Sequence, residues 1–151
     1  VLLIVGDGPN RKALENYVNK LGIREKILFT GMVLPEEVPK YYQLSDVFVS
    51  ASNSETQGLT YIESLASGVP ALCKRDPCLK GVIKDGINGW QYDSFEDFSQ
   101  KLEYILDSER HVLLKENARR GAWSDFSSEA FAKKVEYVYK HAMGLNYEMA
   151  Q

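Results

Sequence analysis

The stretch Val47-Phe48-Val49-Ser50-Ala51-Ser52-Asn53-Ser54-Glu55-Thr56-Gln57-Gly58-Leu59-Thr60-Tyr61-Ile62-Glu63-Ser64-Leu65-Ala66-Ser67-Gly68-Val69-Pro70-Ala71-Leu72-Cys73 decides the fold. Val47 to Val49 is the short apolar run of a buried strand. Small and polar residues follow, then Leu59 to Ser67 has helical spacing and stops at Gly68. Pro70 to Cys73 reads as a strand again. Strand, loop, helix and strand in this order make a βαβ unit, whose two strands run parallel and whose crossover is right-handed.

The pattern repeats outward. Val1 to Val5 is a β-branched and leucine run, as in a strand buried on both faces. Gly6-Asp7-Gly8-Pro9 breaks it. Asn10 to Leu21 follows with helical spacing (Leu14, Tyr17, Val18, Leu21), stopped by Gly22. Ile27-Leu28-Phe29 is a second strand, ended by Gly31. Pro35 to Leu44 predicts a helix with Val38, Tyr41 and Tyr42 inward. Gly86-Ile87-Asn88-Gly89 is turn chemistry ahead of a fifth strand, Trp90 to Tyr92. Beyond it, Phe95 to Leu106, His111 to Ala122 and Ser127 to Met143 read as three helices, the last with a stripe of Phe131, Val135, Val138 and Ala142. The expected fold class is α/β, a doubly wound parallel sheet with a helical C-terminal segment. In such sheets ligands sit outside the carboxyl ends of the strands. The places to search are Gly6 to Asn10, Gly31 to Pro35, Ser50 to Gly58 and Lys74 to Leu79.

Composition narrows the function classes. The 151 residues predict one domain, and 44% apolar with 26% charged residues is globular composition. A net charge of −3 argues against nucleic acid as the main partner. No apolar run approaches the ~18 residues of a spanning helix. Cys73 and Cys78 are too few for a disulfide framework and lack metal-site spacing, which points to a reduced, cytosolic compartment. The chain opens on an apolar run that reads as an interior strand, so it is expected to be part of something longer.

Each candidate site has a plain structural rival. Gly6-x-Gly8 follows a strand as in a dinucleotide fingerprint, but Arg11 stands where a third glycine belongs and Pro9 removes an amide. It reads as a structural turn. The loop Ser50 to Gly58 is richer. The amides of Gly58, Leu59 and Thr60 are the free donors of a helical first turn, able to receive an anion. The rival is an ordinary cap provided by Thr56 or Gln57. Glu63 falls on the edge of an arc of Leu59, Ile62, Leu65 and Ala66, so it is expected half-buried and in need of donors. The two hydroxyls of a ribose would supply them; a lysine or a wet crevice would also serve. Glu55 precedes the helix at the loop tip and faces the same mouth. Both carboxylates come from one side, which suits gripping a sugar nucleotide better than cleaving a glycoside. His111 and His141 read as surface residues, and Cys73 as core. Lys74 and Arg75 could neutralise phosphate or form a solvated charge pair.

Glu55-Thr56-Gln57-Gly58-Leu59-Thr60-Tyr61-Ile62-Glu63, followed by Ser67-Gly68-Val69-Pro70, resembles the signature of retaining glycosyltransferases of the GT-B fold, family 4. Val5-Gly6-Asp7-Gly8-Pro9, Phe29-Thr30-Gly31, Ser45-Asp46-Val47-Phe48-Val49-Ser50 and Asp85-Gly86-Ile87-Asn88-Gly89 fall in the family's order, over Val1 to Tyr92. The resemblance implies a Rossmann-like, nucleotide-sugar-binding C-terminal domain spanning 1–151, with an N-terminal acceptor domain and the basic phosphate-binding residues lying before Val1. It places Glu55 at the donor sugar, where it serves catalysis, and Glu63 at the ribose hydroxyls. Gly58, Leu59 and Thr60 approach the β-phosphate and sugar, and Gly31, Met32 and Val33 lie beside the base. It implies no cofactor and no metal, in keeping with the lack of an Asp-x-Asp motif. Thr56-Gln57 departs from the usual Glu-Gly-Phe-Gly loop and, with Lys74-Arg75-Asp76, looks like enzymes that glucosylate diacylglycerol. That subgroup implies a glucose donor such as UDP-glucose, a cytoplasmic enzyme, and peripheral association with the inner face of the membrane.

Two other classes compete. A sugar-nucleotide epimerase shares the two-domain architecture but should lack glutamates paired at this spacing. A flavodoxin-like binding module or receiver wants an acidic cluster after its first strand and an aspartate ending its third, where Ser50 stands.

Overall fold

The computed structural model describes residues 1–56 and 58–144. The chain separates into two compact units, Val1–Tyr41 and Tyr42–Gln151.

The first unit holds β1 (Leu2–Val5), α1 (Arg11–Lys20) and β2 (Ile27–Gly31). A short 3₁₀ turn at Pro35–Glu37 then runs into α2 (Val38–Gln43), which crosses the boundary between the units. Pro39 is accommodated in the first turn of α2, where its missing N–H leaves no bond unmade. β1 and β2 pair in parallel, Leu2 opposite Ile27 and Ile4 opposite Phe29. The burial expected of β1 is not observed. Leu2 is 49% and Val5 41% exposed, and Leu28 on β2 is exposed as well. In this unit β1 pairs only with β2, so the run that reads as fully interior is covered only in part.

The second unit carries β3 (Phe48–Ser50), α3 (Leu59–Ala66), β4 (Ala71–Lys74), β5 (Gly89–Tyr92), α4 (Phe95–Leu106), α5 (Ser108–Phe126) and α6 (Ser128–Ala142). Its strands lie in the order β3-β4-β5, all parallel. β4 is the strand whose two faces are both buried. Side chains alternate along a strand, so Ala71 and Cys73 join Tyr61, Leu65, Ala118 and Ala122 on one face. Leu72 turns to Ile105 and Leu114 on the other, with Trp90, Tyr92, Phe98 and Leu102 packed around. Helix α3 and the later turns of α5 thus cover one face, and α4 with Leu114 of α5 the other, the doubly wound arrangement in three strands.

The tail helices have sequence-encoded starts. Ser94, Asp107 and Ser127 each accept a hydrogen bond from the amide three residues on, at Asp97, Arg110 and Ala130. The cap at Asp107 begins α5 three residues before the expected His111. In α6 the predicted stripe is mostly uncovered: Val135 is half-buried, whereas Phe131, Val138 and Ala142 are exposed.

Candidate functional site

The register of β3 and β4 places Ser50 beside Cys73 at the carboxyl edge of the sheet. The loop after β3 and the loop after β4 therefore leave side by side. Gly58 closes the first of them with φ +65°, the left-handed region that glycine enters without strain. A β-carbon there would lie 3.0 Å from Leu79 Cδ2, in the second loop.

α3 starts at Leu59 with no side-chain cap. Its first internal bonds run from the amides of Tyr61 and Ile62 to the Gly58 carbonyl, at 3.1 and 3.2 Å. The amides of Gly58, Leu59 and Thr60 donate to nothing among the described residues. Thr56 caps none of them, and Gln57, the other candidate cap, lies outside the described residues. Three converging N–H groups at a helix start form a place for an anion.

Glu63 lies on a different face of α3 from the one expected. The buried side is Tyr61, Ser64 and Leu65, and Leu59 and Ala66 are exposed. Glu63 is opposite that buried side, exposed rather than half-buried. The expected arc has Leu59 and Ala66 inward, and the structure instead buries Tyr61 and Ser64 beside Leu65. The ring of Tyr61 goes inside because it meets Phe48 edge to face, centroids 5.4 Å apart. Glu63 nonetheless has a partner in the protein, and it is a tyrosine rather than a lysine. The Tyr42 hydroxyl lies 3.3 Å from Glu63 Oε2 and 3.2 Å from the Thr60 carbonyl oxygen. Burial first, then the charge of Glu63, holds the Tyr42 hydroxyl protonated well above the usual tyrosine range.

Glu55 is half-buried and makes no hydrogen bond or ion pair among the described residues. Its charge is felt by Tyr61 and Cys73. Burial pushes the Tyr61 hydroxyl up to about 12, with the nearby Ser50 hydroxyl opposing the shift. Burial pushes the Cys73 thiol up to about 12 as well, which keeps it an inert core residue.

Of the two cations Lys74 and Arg75 at the end of β4, only Lys74 is uncommitted among the described residues. Arg75 donates through Nε to both carboxylate oxygens of Asp93, at 3.0 and 3.1 Å. Lys74, at the end of β4, makes no ion pair among the described residues. Asp76 is buried and accepts from the Cys78 amide, which fixes the loop.

Gly31, Met32 and Val33 belong to the first unit. Gly31 has φ +74°, and a β-carbon there would fall 2.7 Å from Arg11 Nη1. Met32 is 80% exposed. The Gly6-x-Gly8 turn is structural: Gly6 donates to the Gly31 carbonyl at 3.0 Å, and the Asp7 carboxylate accepts from the Gly8 amide at 2.7 Å. Asp7 thereby occupies the anion position of that turn, paired to Arg11. His111 is not a surface residue. Its side chain is mostly buried, with Nδ1 3.0 Å from the Ile105 carbonyl and Nε2 3.9 Å from Asp46. His141 is exposed and stacks on Tyr137. Among the described residues, no three His, Cys, Asp or Glu side chains gather into a metal set.

The family model described as glycosyl transferases group 1 matches residues 1–123. The chain belongs to this family. It is 38% identical over 146 residues to an alpha-monoglucosyldiacylglycerol synthase of Streptococcus pneumoniae, covering 94% of this chain and 32% of that protein. It is 33% identical over 138 residues to the synthase of the same name from Acholeplasma laidlawii, covering 91% of this chain and 34% of that one. The chain thus spans about a third of the length of these curated relatives. Among solved structures, Anabaena HepE in complex with UDP aligns with a TM-score of 0.78 and 18% identity, over 92% of this chain and 40% of that one. A sucrose-phosphate synthase from Thermosynechococcus elongatus aligns at 0.80 with 24% identity, over 96% and 39%. At such identities the likeness establishes the fold, that of GT-B glycosyltransferases. Family membership sets aside the flavodoxin-like module and the epimerase.

Proposed function

We propose that this chain forms the donor-binding part of a retaining glycosyltransferase that moves glucose from UDP-glucose to a diacylglycerol lipid. The observation that carries the proposal is the start of α3, where the amides of Gly58, Leu59 and Thr60, without acceptors among the described residues, lie one turn from the carboxylate of Glu63. The amides receive the β-phosphate and Glu63 the ribose hydroxyls. Lys74 adds positive charge at the same sheet edge. The names of the two synthases support glucose and diacylglycerol, and the HepE complex supports UDP.

In the reaction, the bond from the anomeric carbon to the β-phosphate oxygen breaks, a bond to the acceptor oxygen forms, and the acceptor's hydroxyl proton passes to the departing phosphate. Negative charge grows on the departing phosphate, where preorganised amides act most strongly. Positive charge grows on the sugar ring, and Glu55 supplies the matching anion. The reading uses these protein groups and no metal. A lipid acceptor calls for an enzyme working at the inner, cytoplasmic face of the membrane; no described helix is long and apolar enough to cross one.

The test is transfer of labelled glucose from UDP-glucose to diacylglycerol in mixed micelles, by the full-length enzyme that contains this chain. Lipid-linked product supports the proposal. Transfer only to soluble sugars would overturn the lipid acceptor, and label taken only from a different nucleotide sugar would overturn the donor. The 151-residue chain alone is expected to transfer nothing, because positioning an acceptor accounts for about 7–11 kcal/mol of such barriers.

A further inference from the structure

Glu63 is an exposed side chain on the outer face of a helix, where a glutamate ordinarily samples many rotamers. Here one of its oxygens is held. Tyr42, the first residue of the second unit, directs its hydroxyl at Glu63 Oε2 (3.3 Å) and at the Thr60 carbonyl (3.2 Å). The phenol has one proton to give, and the carboxylate takes the stronger, charge-assisted bond. The Tyr42 ring is itself anchored: it meets Phe48 edge to face at 5.7 Å, and Phe48 meets Tyr61 at 5.4 Å. Tyr61 is 0% exposed. A line of three rings therefore runs from the core to the tip of Glu63.

We infer that Tyr42 is a positioning residue for the nucleotide site: its hydroxyl ties Oε2 of Glu63 and leaves Oε1 turned out to accept from a vicinal diol. The inference rests on the reading of Glu63 as the ribose-binding carboxylate. Oε1 has no partner among the described residues. Burial and the neighbouring Glu63 keep Tyr42 protonated, so its hydroxyl stays a donor at neutral pH. Tyr42 meets Thr60 at its carbonyl and not at its amide, so its loss is expected to act on ligands that carry the diol.

The experiment is calorimetry on the 151-residue chain with UDP and with its 2′,3′-dideoxy analogue, in wild type and Tyr42→Phe. The phenylalanine keeps the ring on Phe48 and removes only the hydroxyl. The expected result is UDP binding weakened about fivefold, the worth of one ordinary hydrogen bond, with the dideoxy analogue unaffected. Equal weakening of both ligands would overturn the inference by revealing a general structural role. Unchanged UDP binding would overturn it too.

A second arm needs no nucleotide. A double-mutant cycle of Tyr42→Phe and Glu63→Ala, read by thermal unfolding, is expected to be non-additive because the two groups touch. Additive effects would overturn the inference. If wild type binds no UDP, the nucleotide reading of the site fails, and non-additivity in this arm still upholds Tyr42 as the group that holds Glu63.

Discussion

The Gly58 α-carbon packs so closely on Leu79 that a methyl group added to it would lie 3.0 Å from Leu79 Cδ2. This contact joins the loop after β3 to the loop after β4, and it sets where α3 begins. Gly58→Ala meets both that contact and the cost of a left-handed conformation, about 1–2 kcal/mol. Urea unfolding is expected to show the chain destabilised by roughly that amount. UDP affinity should fall as well, since the free amides turn with residue 58.

Glu63→Ala removes the carboxylate and leaves α3 intact, since the side chain is exposed and helix-compatible. Losing a charged hydrogen-bond partner costs about 1.5–3 kcal/mol. Calorimetry is expected to find UDP affinity reduced accordingly and inorganic pyrophosphate affinity unchanged. An unchanged UDP affinity would remove Glu63 from the ribose.

The sequence made the alternation of strands and helices legible because apolar runs and breakers are local signals. Phe95 to Leu106 matches α4 at both ends, and Gly22 and Gly68 follow the helices they stop. Burial was less legible, because it depends on neighbours. Val1 to Val5 reads as interior, yet among the described residues only one strand pairs with β1. In α3 an aromatic residue, Tyr61, took the inward place assigned to Leu59, and Glu63 turned outward as a result. Tyr42 could not be singled out, since its meeting with Glu63 is made across a separation of 21 residues. The one available signal was that Tyr42 was expected inward on its helix, which left its hydroxyl in want of an acceptor.

The second unit carries a clip that makes its stability pH-dependent. Lys84 Nζ lies 3.0 Å from Asp125 Oδ2, and this hydrogen bond holds the Asp125 carboxyl below its usual value of 3.8. A carboxylate with a depressed folded-state pKa stabilises the fold above its unfolded-state value. That contribution is lost as pH falls through the lower, folded-state value. Lys84→Met is therefore expected to lower Tm at pH 6, and the difference from wild type should close in acid below about pH 4. A Tm difference that persists unchanged at pH 3 would assign the effect to packing.

Glu55 faces the same sheet edge with its charge unpaired among the described residues. Such an anion helps most as positive charge develops on the sugar ring. In the full-length enzyme, Glu55→Gln keeps size and loses charge. Steady-state kinetics are expected to give a much lower kcat with donor KM little changed. A change confined to KM would place Glu55 in ground-state binding instead.

The central claim is that the start of α3 receives the diphosphate of a nucleotide sugar. The most direct measurement is a titration of the ¹⁵N-labelled chain with UDP, followed by backbone amide resonances. The account predicts saturable shifts largest at Gly58, Leu59 and Thr60, whose amides have no acceptor among the described residues, with a smaller response at Glu63. Saturable shifts centred on Gly6 to Arg11 with none at Gly58 to Thr60, or no saturable shift at all, would contradict it.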